Sequence, residues 1–300
     1  MTGLVLLGIF NGLSVASILL LIAIGLAITF GLMNVINMAH GQFIMIGAYV
    51  AYVCGNLAAR LWGAGNGAGN AFLLALPASF LVAAFFGWLL ERGLIRFLYK
   101  RPLDTLLATW GVGLLLEQAA KNVFGAPNVT VLVPAWLTGA LELGPDLSLS
   151  YARLFILGLA LAALAGVYFY LFRTGTGRLV RAVMQNRAMA DCLGVRTERV
   201  DAYTFALGAG LAGLAGAALC LLGPVGPFIG TDYIVQAFMV VVLGGVGQLL
   251  GTVGAAASIG GLDSIFNLKF SVSIGQVIVF GAVIAFLQFR PSGFVRTRTR

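Results

Sequence analysis

The stretch RTGTGRLVRAVMQNRAMADCLGVRTERVDAYT, residues 173–204, is a polar and basic segment between long apolar runs, and we call it the basic island. Charged residues make up only 9% of the chain, yet six arginines fall in the basic island: Arg173, Arg178, Arg181, Arg187, Arg196 and Arg199. Guanidinium groups are costly to place in lipid. The basic island is therefore predicted to lie in water between two membrane-spanning runs.

The middle of the basic island has the pattern of a short helix. Asn186 is suited to cap a helix N-terminus, and Gly194 is suited to end the helix. Between them, Met189, Ala190 and Leu193 fall at helical spacing on one apolar face. An exposed apolar face of this kind fits a groove in a partner protein. The alternative is an ordinary cytoplasmic loop, placed there by its positive charge.

The rest of the chain has the composition of a membrane protein. Hydrophobic residues make up 60% of it, compared with about 45 to 50% in soluble domains. Apolar windows occur at residues 13–32, 43–61, 72–90, 103–118, 154–172, 205–222, 234–250, 252–266 and 272–289. Windows near 20 residues can cross a bilayer as helices. We predict an all-α polytopic integral membrane protein with about eight to ten transmembrane helices, forming a single transmembrane domain over residues 1–300.

The charge distribution predicts the orientation of these helices. Three basic clusters hold 14 of the 18 Lys and Arg residues: residues 92–101, the basic island and residues 290–300. All three fall on one side if the windows alternate, and basic loops remain in the cytoplasm. This predicts a cytoplasmic loop at 173–204, an external loop at 119–152, a cytoplasmic C-terminus and an external N-terminus; an even number of spans would move only the N-terminus.

Polar side chains interrupt two of the apolar regions and are candidates for a substrate pathway. They are Asn34, Asn37, His40, Gln42, Gln236 and Gln248. Such groups are costly in lipid unless water or other polar groups satisfy them. One alternative is that the first four cap a broken helix end at the cytoplasmic interface. The other is that a discontinuous helix exposes them to a central pathway.

Two further patterns concern packing and pairing. The run LGAGLAGLAGAAL, residues 207–219, carries two stripes of small residues at helical spacing, which predicts close helix packing. Glu117 is followed one turn later by Lys121, which favours an ion pair. The three cysteines lack C-x-x-C spacing, so neither a disulfide nor a metal site is predicted.

Several stretches resemble the permeases of the branched-chain amino acid (LivH) family of ABC importers. These stretches are residues 25–49, 102–118, 185–216 and 238–252, and the resemblance runs nearly end to end. Three shorter motifs resemble the urea-importer branch (UrtB type) more closely: TLLATWG at 105–111, FGAPNV at 124–129 and VGP at 225–227. The resemblance implies an ABC importer permease fold with discontinuous spans.

The basic island resembles the E-A-A-x-x-x-G coupling loop of these permeases, which docks on the ATPase. Ala188, Met189 and Ala190 stand at the first three positions, and Gly194 stands at the glycine. Ala188 and Met189 depart from the family residues. The resemblance implies a role in ATPase coupling for Arg181, Asn186, Met189, Ala190, Leu193 and Gly194.

The same resemblance implies the partners of the chain. They are a second homologous permease subunit, two cytoplasmic ATP-binding subunits, a periplasmic substrate-binding protein and the lipid bilayer of the bacterial inner membrane. The sequence has no G-x-x-x-x-G-K-[ST] loop. We therefore expect no cofactor bound by this chain, ATP used by the partners, no nucleic acid partner and no enzymatic activity of its own.

The neutral pathway candidates favour a neutral polar substrate. Urea or a short-chain amide needs hydrogen-bonding groups and no fixed charge, so it is the favoured prediction. Gln236 stands where the urea branch has an acidic residue, which leaves room for another amide. One alternative is a branched-chain amino acid, whose zwitterion needs a charge or a helix N-terminus. Another is a passive urea or solute channel, which needs no basic island; a membrane enzyme would need carboxylate pairs or a histidine cluster.

Overall fold

The computed structural model describes residues 2–33, 35–62, 66–99, 101–144, 147–267 and 270–295. Within them, nine long helices and two short ones follow one another along the chain. The long helices are α1 (Thr2–Met33), α2 (His40–Trp62), α3 (Asn66–Gly93), α4 (Pro102–Phe124), α5 (Tyr151–Arg173), α8 (Thr197–Leu219), α9 (Ile229–Gly244), α10 (Leu249–Asn267) and α11 (Val272–Phe289). The short helices are α6 (Gly175–Gln185) and α7 (Arg187–Cys192).

Each predicted apolar window lies mainly within one long helix, and the predicted all-α polytopic fold is confirmed. Six of the described helices are long and apolar enough to cross a membrane, and α9 and α11 are shorter apolar helices. The window at 234–250 was too long, because α9 ends at Gly244. Gly245 and Gly247 adopt φ angles of 95° and 82° and form the turn into α10. Glycine adopts this conformation without steric cost.

The segment predicted as an external loop, residues 119–152, is more ordered than a loop. Helix α4 continues to Phe124, and two strands follow, β1 (Ala140–Gly144) and β2 (Leu147–Ser150), paired antiparallel. The strands form because leucine alternates with other residues in LEL and LSLS, which is a strand pattern. The segment is also tied to the turn before α9, where Val129 and Val225 exchange backbone hydrogen bonds of 2.8 and 2.9 Å.

Helix α8 lies at the centre of the packing, and its two stripes of small residues contact different neighbours. Gly208 of the first stripe packs on α1, where an added Cβ would lie 2.6 Å from the Thr29 side chain, and Gly216 of the same stripe packs on Ile44 of α2. The stripe that contains Gly213 packs on α3, where an added Cβ would lie 2.5 Å from the Ser79 carbonyl oxygen. Side chains larger than hydrogen do not fit at these positions, as expected for closely packed membrane helices.

The chain turns back into the protein between α1 and α2. Helix α1 ends at Met33, residues 35–37 are not helical, and α2 begins at His40. The His40 Nε2 atom lies 3.3 Å from the carbonyl oxygen of Ile22. Because α1 rises 1.5 Å per residue, Ile22 lies about 16 Å from the end of that helix. Helix α2 is therefore a discontinuous span that begins near the middle of the bundle.

Helix α9 begins beside the start of α2. The backbones of Gly41 and Gly230 are in contact, and a Cβ on either residue would overlap the carbonyl group of the other. Two helix N-termini consequently meet inside the bundle, with no side chain between them.

Candidate substrate site and coupling surface

The polar residues at the start of α2 are buried and partly unpaired. Asn37 and His40 are fully buried. The Asn37 Oδ1 atom accepts a hydrogen bond of 3.0 Å from the Ala39 N–H, and the Met38 N–H donates 3.1 Å to the Thr109 hydroxyl of α4. Among the described residues, Asn37 Nδ2 and His40 Nδ1 have no hydrogen-bond partner. Asn37 therefore closes a turn directly before α2, and α4 fixes the non-helical segment in place.

A cavity of about 290 Å³ lies between α2, α4 and α9, and we call it the α4 cavity. Its lining is Met38, Gln42, Trp110, Gly113, Leu114, Glu117, Phe228, Gly230, Thr231 and Ile234. Gln42 is only 5% exposed, and its Oε1 atom has no hydrogen-bond partner among the described residues. The cavity therefore combines apolar walls with buried polar groups.

Glu117, the acidic partner of the predicted ion pair, lines the α4 cavity. The Lys121 Nζ atom lies 2.7 Å from Glu117 Oε1, and Nζ also lies 4.0 Å from the centre of the Phe228 ring. On the other side, the Thr231 hydroxyl lies 3.4 Å from Glu117 Oε2. The sequence predicted the Glu117–Lys121 pair but not the approach of α9, because residues 114 positions apart carry no local signal.

A second cavity of about 440 Å³ lies between α1, α9, α10 and α11, and we call it the α11 cavity. Gln236 lines it together with Asp232, Tyr233, Asp263 and Gln276. Asp232 and Thr231 are neighbours in sequence but line different cavities. Helix α9 thus separates two cavities that each contain polar side chains.

The structure does not gather all the predicted pathway residues in one place. Asn37, His40 and Gln42 lie together at the start of α2, whereas Gln236 lines the α11 cavity. Gln248 lies in the turn between α9 and α10 and lines a third cavity of about 850 Å³, beside α5 and α6. Asn34 lies outside the described residues. Within those residues, no group of three or more His, Cys, Asp and Glu side chains could hold a metal ion.

The predicted short helix of the basic island is α7. The Met189 N–H donates a 3.0 Å hydrogen bond to Asn186 Oδ1, which caps the helix, and Gly194 follows with φ of 80°. Met189 and Leu193 are 58% and 78% exposed, but Ala190 is only 3% exposed. Placing Ala190 on the exposed apolar face was therefore wrong. Its methyl group points into the chain, because α7 spans only six residues and packs on α6 and α8.

Arg181 lies apart from α7. It is on α6, where its guanidinium group is 4.9 Å from the centre of the Phe172 ring at the end of α5. It also lines the third cavity beside Gln248.

Helix α7 is anchored to the ends of α3 and α8. The Arg187 guanidinium lies 2.6 Å from Asp201 of α8 and 4.9 Å from the centre of the Tyr99 ring. The Tyr99 hydroxyl donates 2.8 Å to Glu91 of α3, which is 1% exposed. Burial, reinforced by the Asp201 and Glu91 carboxylates, raises the pKa of Tyr99, so its hydroxyl stays protonated as a donor. Thr197 adds a 2.8 Å hydrogen bond to Asp191 of α7. No local sequence pattern predicted this network.

Comparison with known proteins places the chain in a family. The family model described as "Branched-chain amino acid transport system / permease component" matches residues 8–287. The chain belongs to this family.

The similar permeases align over almost the whole chain. The high-affinity branched-chain amino acid transport system permease protein BraD of Pseudomonas aeruginosa is 30% identical over 95% of this chain and 94% of its own length. The corresponding protein LivH of Escherichia coli K12 is 28% identical over the same shares. The ribose import permease protein RbsC of E. coli K12 is 27% identical over 92% of this chain and 83% of its own length. No solved structure matches significantly.

These relatives give the role of the permease in outline. As a permease component of an ABC transport system it acts with ATPase and binding-protein partners, and its apolar helices make it a multi-pass inner-membrane protein. The comparisons support the amino-acid alternative better than urea or a short amide. A closer likeness to the urea branch remains a prediction.

Proposed function

We propose that this permease imports branched-chain amino acids in an ATP-driven complex. The observation that carries the proposal is the end-to-end similarity to BraD and LivH, which are named as permeases for those substrates. The structure supports a zwitterionic substrate, because the permease contains a partner for each of its two charges. The partners are a buried carboxylate, Glu117, and a helix N-terminus inside the bundle.

The proposed complex contains a second homologous permease, two cytoplasmic ATP-binding subunits and a periplasmic binding protein. ATP is used by the ATP-binding subunits, and this chain binds no cofactor. The C-terminus and α7 lie in the cytoplasm, as the basic clusters indicate. Polar residues of the discontinuous spans, Gln42 and Gln236 among them, form part of the pathway.

Coupling to ATP proceeds through α7 in this proposal. Met189 and Leu193 project from a capped helix and dock in a groove of the ATP-binding subunit. Movement of that groove is transmitted by Arg187 to two helices. The guanidinium contacts Asp201 of α8, and it contacts Tyr99, whose hydroxyl bonds Glu91 of α3. The ATP-binding subunits then shift the equilibrium between outward-open and inward-open states.

The test is uptake by proteoliposomes that contain the complete complex and its binding protein. Labelled leucine, urea and acetamide are compared with and without ATP. We expect ATP-dependent accumulation of leucine and none of urea or acetamide. Urea accumulation in place of leucine would overturn the substrate assignment, and solute flux through the permease without ATP would indicate a channel.

A further inference from the structure

We propose that the α4 cavity binds the transported amino acid by its charged backbone groups. Glu117 and Gln42 accept hydrogen bonds from the ammonium group, and the N-terminus of α9 binds the carboxylate. The inference rests on the proposed function, because it specifies where a zwitterion binds in this permease.

The carboxylate position is defined by the first turn of α9. The N–H groups of Ile229, Thr231 and Asp232 donate to carbonyl oxygens of the preceding turn. The Gly230 N–H has no acceptor among the described residues, and Gly230 lines the α4 cavity. No side chain caps this helix. An uncapped N-terminus binds anions through its free N–H and its positive partial charge. The Thr231 hydroxyl lies beside it as a second donor.

The ammonium position is defined by two buried acceptors. Gln42 is nine-tenths buried and its Oε1 atom is unpaired among the described residues. Glu117 is 8% exposed, and Lys121 occupies only its Oε1 atom. The Oε2 atom has only the long 3.4 Å contact from Thr231. Leaving buried acceptors unpaired is unfavourable, so a ligand ammonium group that pairs both of them is stabilised.

Charge balance favours a zwitterion over either single ion. Lys121 already neutralises Glu117, so the empty cavity carries no net side-chain charge. A zwitterion adds a charge of each sign next to a complementary partner and leaves the balance unchanged. An amine or a carboxylic acid alone would leave one buried charge unmatched, which is costly.

The remaining walls suit a small branched side chain. Met38, Trp110, Leu114 and Ile234 are apolar. The volume of about 290 Å³ lies at the lower limit of ligand pockets, which span about 300 to 1,000 Å³. A free amino acid of the size of leucine matches such a space.

The experiment measures equilibrium binding of labelled leucine to the detergent-purified complex without its binding protein. We expect saturable binding that 4-methylpentanoate (no ammonium), 3-methylbutylamine (no carboxylate) and urea displace poorly. Glu117→Gln should raise the Kd for leucine about tenfold to a hundredfold, since a charge-assisted hydrogen bond is lost. It should also remove the preference for leucine over 4-methylpentanoate, whereas loss of a merely structural ion pair would leave this preference intact.

Thr231→Val provides a second test of the site, and Glu142→Gln serves as the control variant. Thr231→Val keeps the Glu117–Lys121 pair and should still weaken leucine binding. Glu142→Gln neutralises an exposed carboxylate on β1 and should leave the Kd unchanged. Unchanged binding in both Glu117→Gln and Thr231→Val, or no saturable binding by the unmodified complex, would overturn the site. ATP-dependent leucine uptake by the same complex, reconstituted in proteoliposomes with its binding protein, would then leave the proposed function standing, whereas import of urea instead would overturn that function itself.

Discussion

Arg187 is one of the side chains that join the exposed helix α7 to the transmembrane bundle. Its planar guanidinium group pairs with the Asp201 carboxylate and lies over the Tyr99 ring, and Tyr99 in turn bonds Glu91. Asp201 and Glu91 are both buried, so each would be destabilising without its partner. Lysine offers neither the planar stacking surface nor the forked donors of arginine. The anchoring of α7 therefore depends on the chemistry of arginine as well as on its charge.

Residues in and directly after α7 differ in burial, so substitutions there can test docking on the ATP-binding subunit separately from folding. Leu193 is 78% exposed, so Leu193→Arg should leave the amount of folded, membrane-inserted protein unchanged. It should reduce ATP-dependent uptake by about tenfold or more, because an apolar anchor in the interface is replaced by a charge. Uptake and the yield of monodisperse protein are measured for the same preparations.

Ala190→Arg is the matched comparison. Ala190 is 3% exposed, so a long charged side chain there should lower the yield of folded protein as well as uptake. Normal uptake by Leu193→Arg would show that α7 does not dock on the ATP-binding subunit through this residue.

Among the helices, the glycines of α8 determine how closely α1 and α3 pack against α8. Gly213→Ala places a methyl group 2.5 Å from the Ser79 carbonyl oxygen, so the helices must separate. We expect a destabilisation of about 1 to 3 kcal/mol, which is typical of overpacking. It would appear as a lower thermal unfolding midpoint in detergent.

Gly158→Ala on α5 is the control for this change. An added Cβ at Gly158 meets no atom within 4 Å. Replacing glycine by alanine within a helix is then favourable by about 0.5 to 1 kcal/mol. Equal midpoints for the two variants would contradict the close packing of α8 on α3.

The orientation of the whole molecule is testable through its cysteines. Cys192 in α7 is exposed, whereas Cys220 is buried and Cys54 is partly buried. A membrane-impermeant maleimide should label Cys192 in inside-out vesicles and not in right-side-out vesicles. In a Cys192→Ser background, Glu142→Cys on β1 should show the opposite pattern. Reversed labelling of both sites would mean that the basic clusters do not determine the orientation.

The sequence predicted local features well and distant contacts poorly. The apolar windows predicted the helices, Asn186 predicted the cap of α7, and the four-residue spacing of Glu117 and Lys121 predicted their ion pair. Each of these signals lies within one helical turn or one apolar run. The contact of Thr231 with Glu117 and that of Arg187 with Asp201 and Tyr99 depend on how helices pack, which a single sequence does not encode locally. The burial of Ala190 was missed for the same reason.

The close glycine contacts and the walls of the α4 cavity differ in their tolerance of mutation. Gly41 and Gly230 touch through their backbones, so almost any replacement there displaces a helix. Trp110, Leu114 and Phe228 are each about half exposed, so their side chains can change without moving a backbone. Substitutions at the wall positions are therefore expected to change ligand preference while the helix packing is retained.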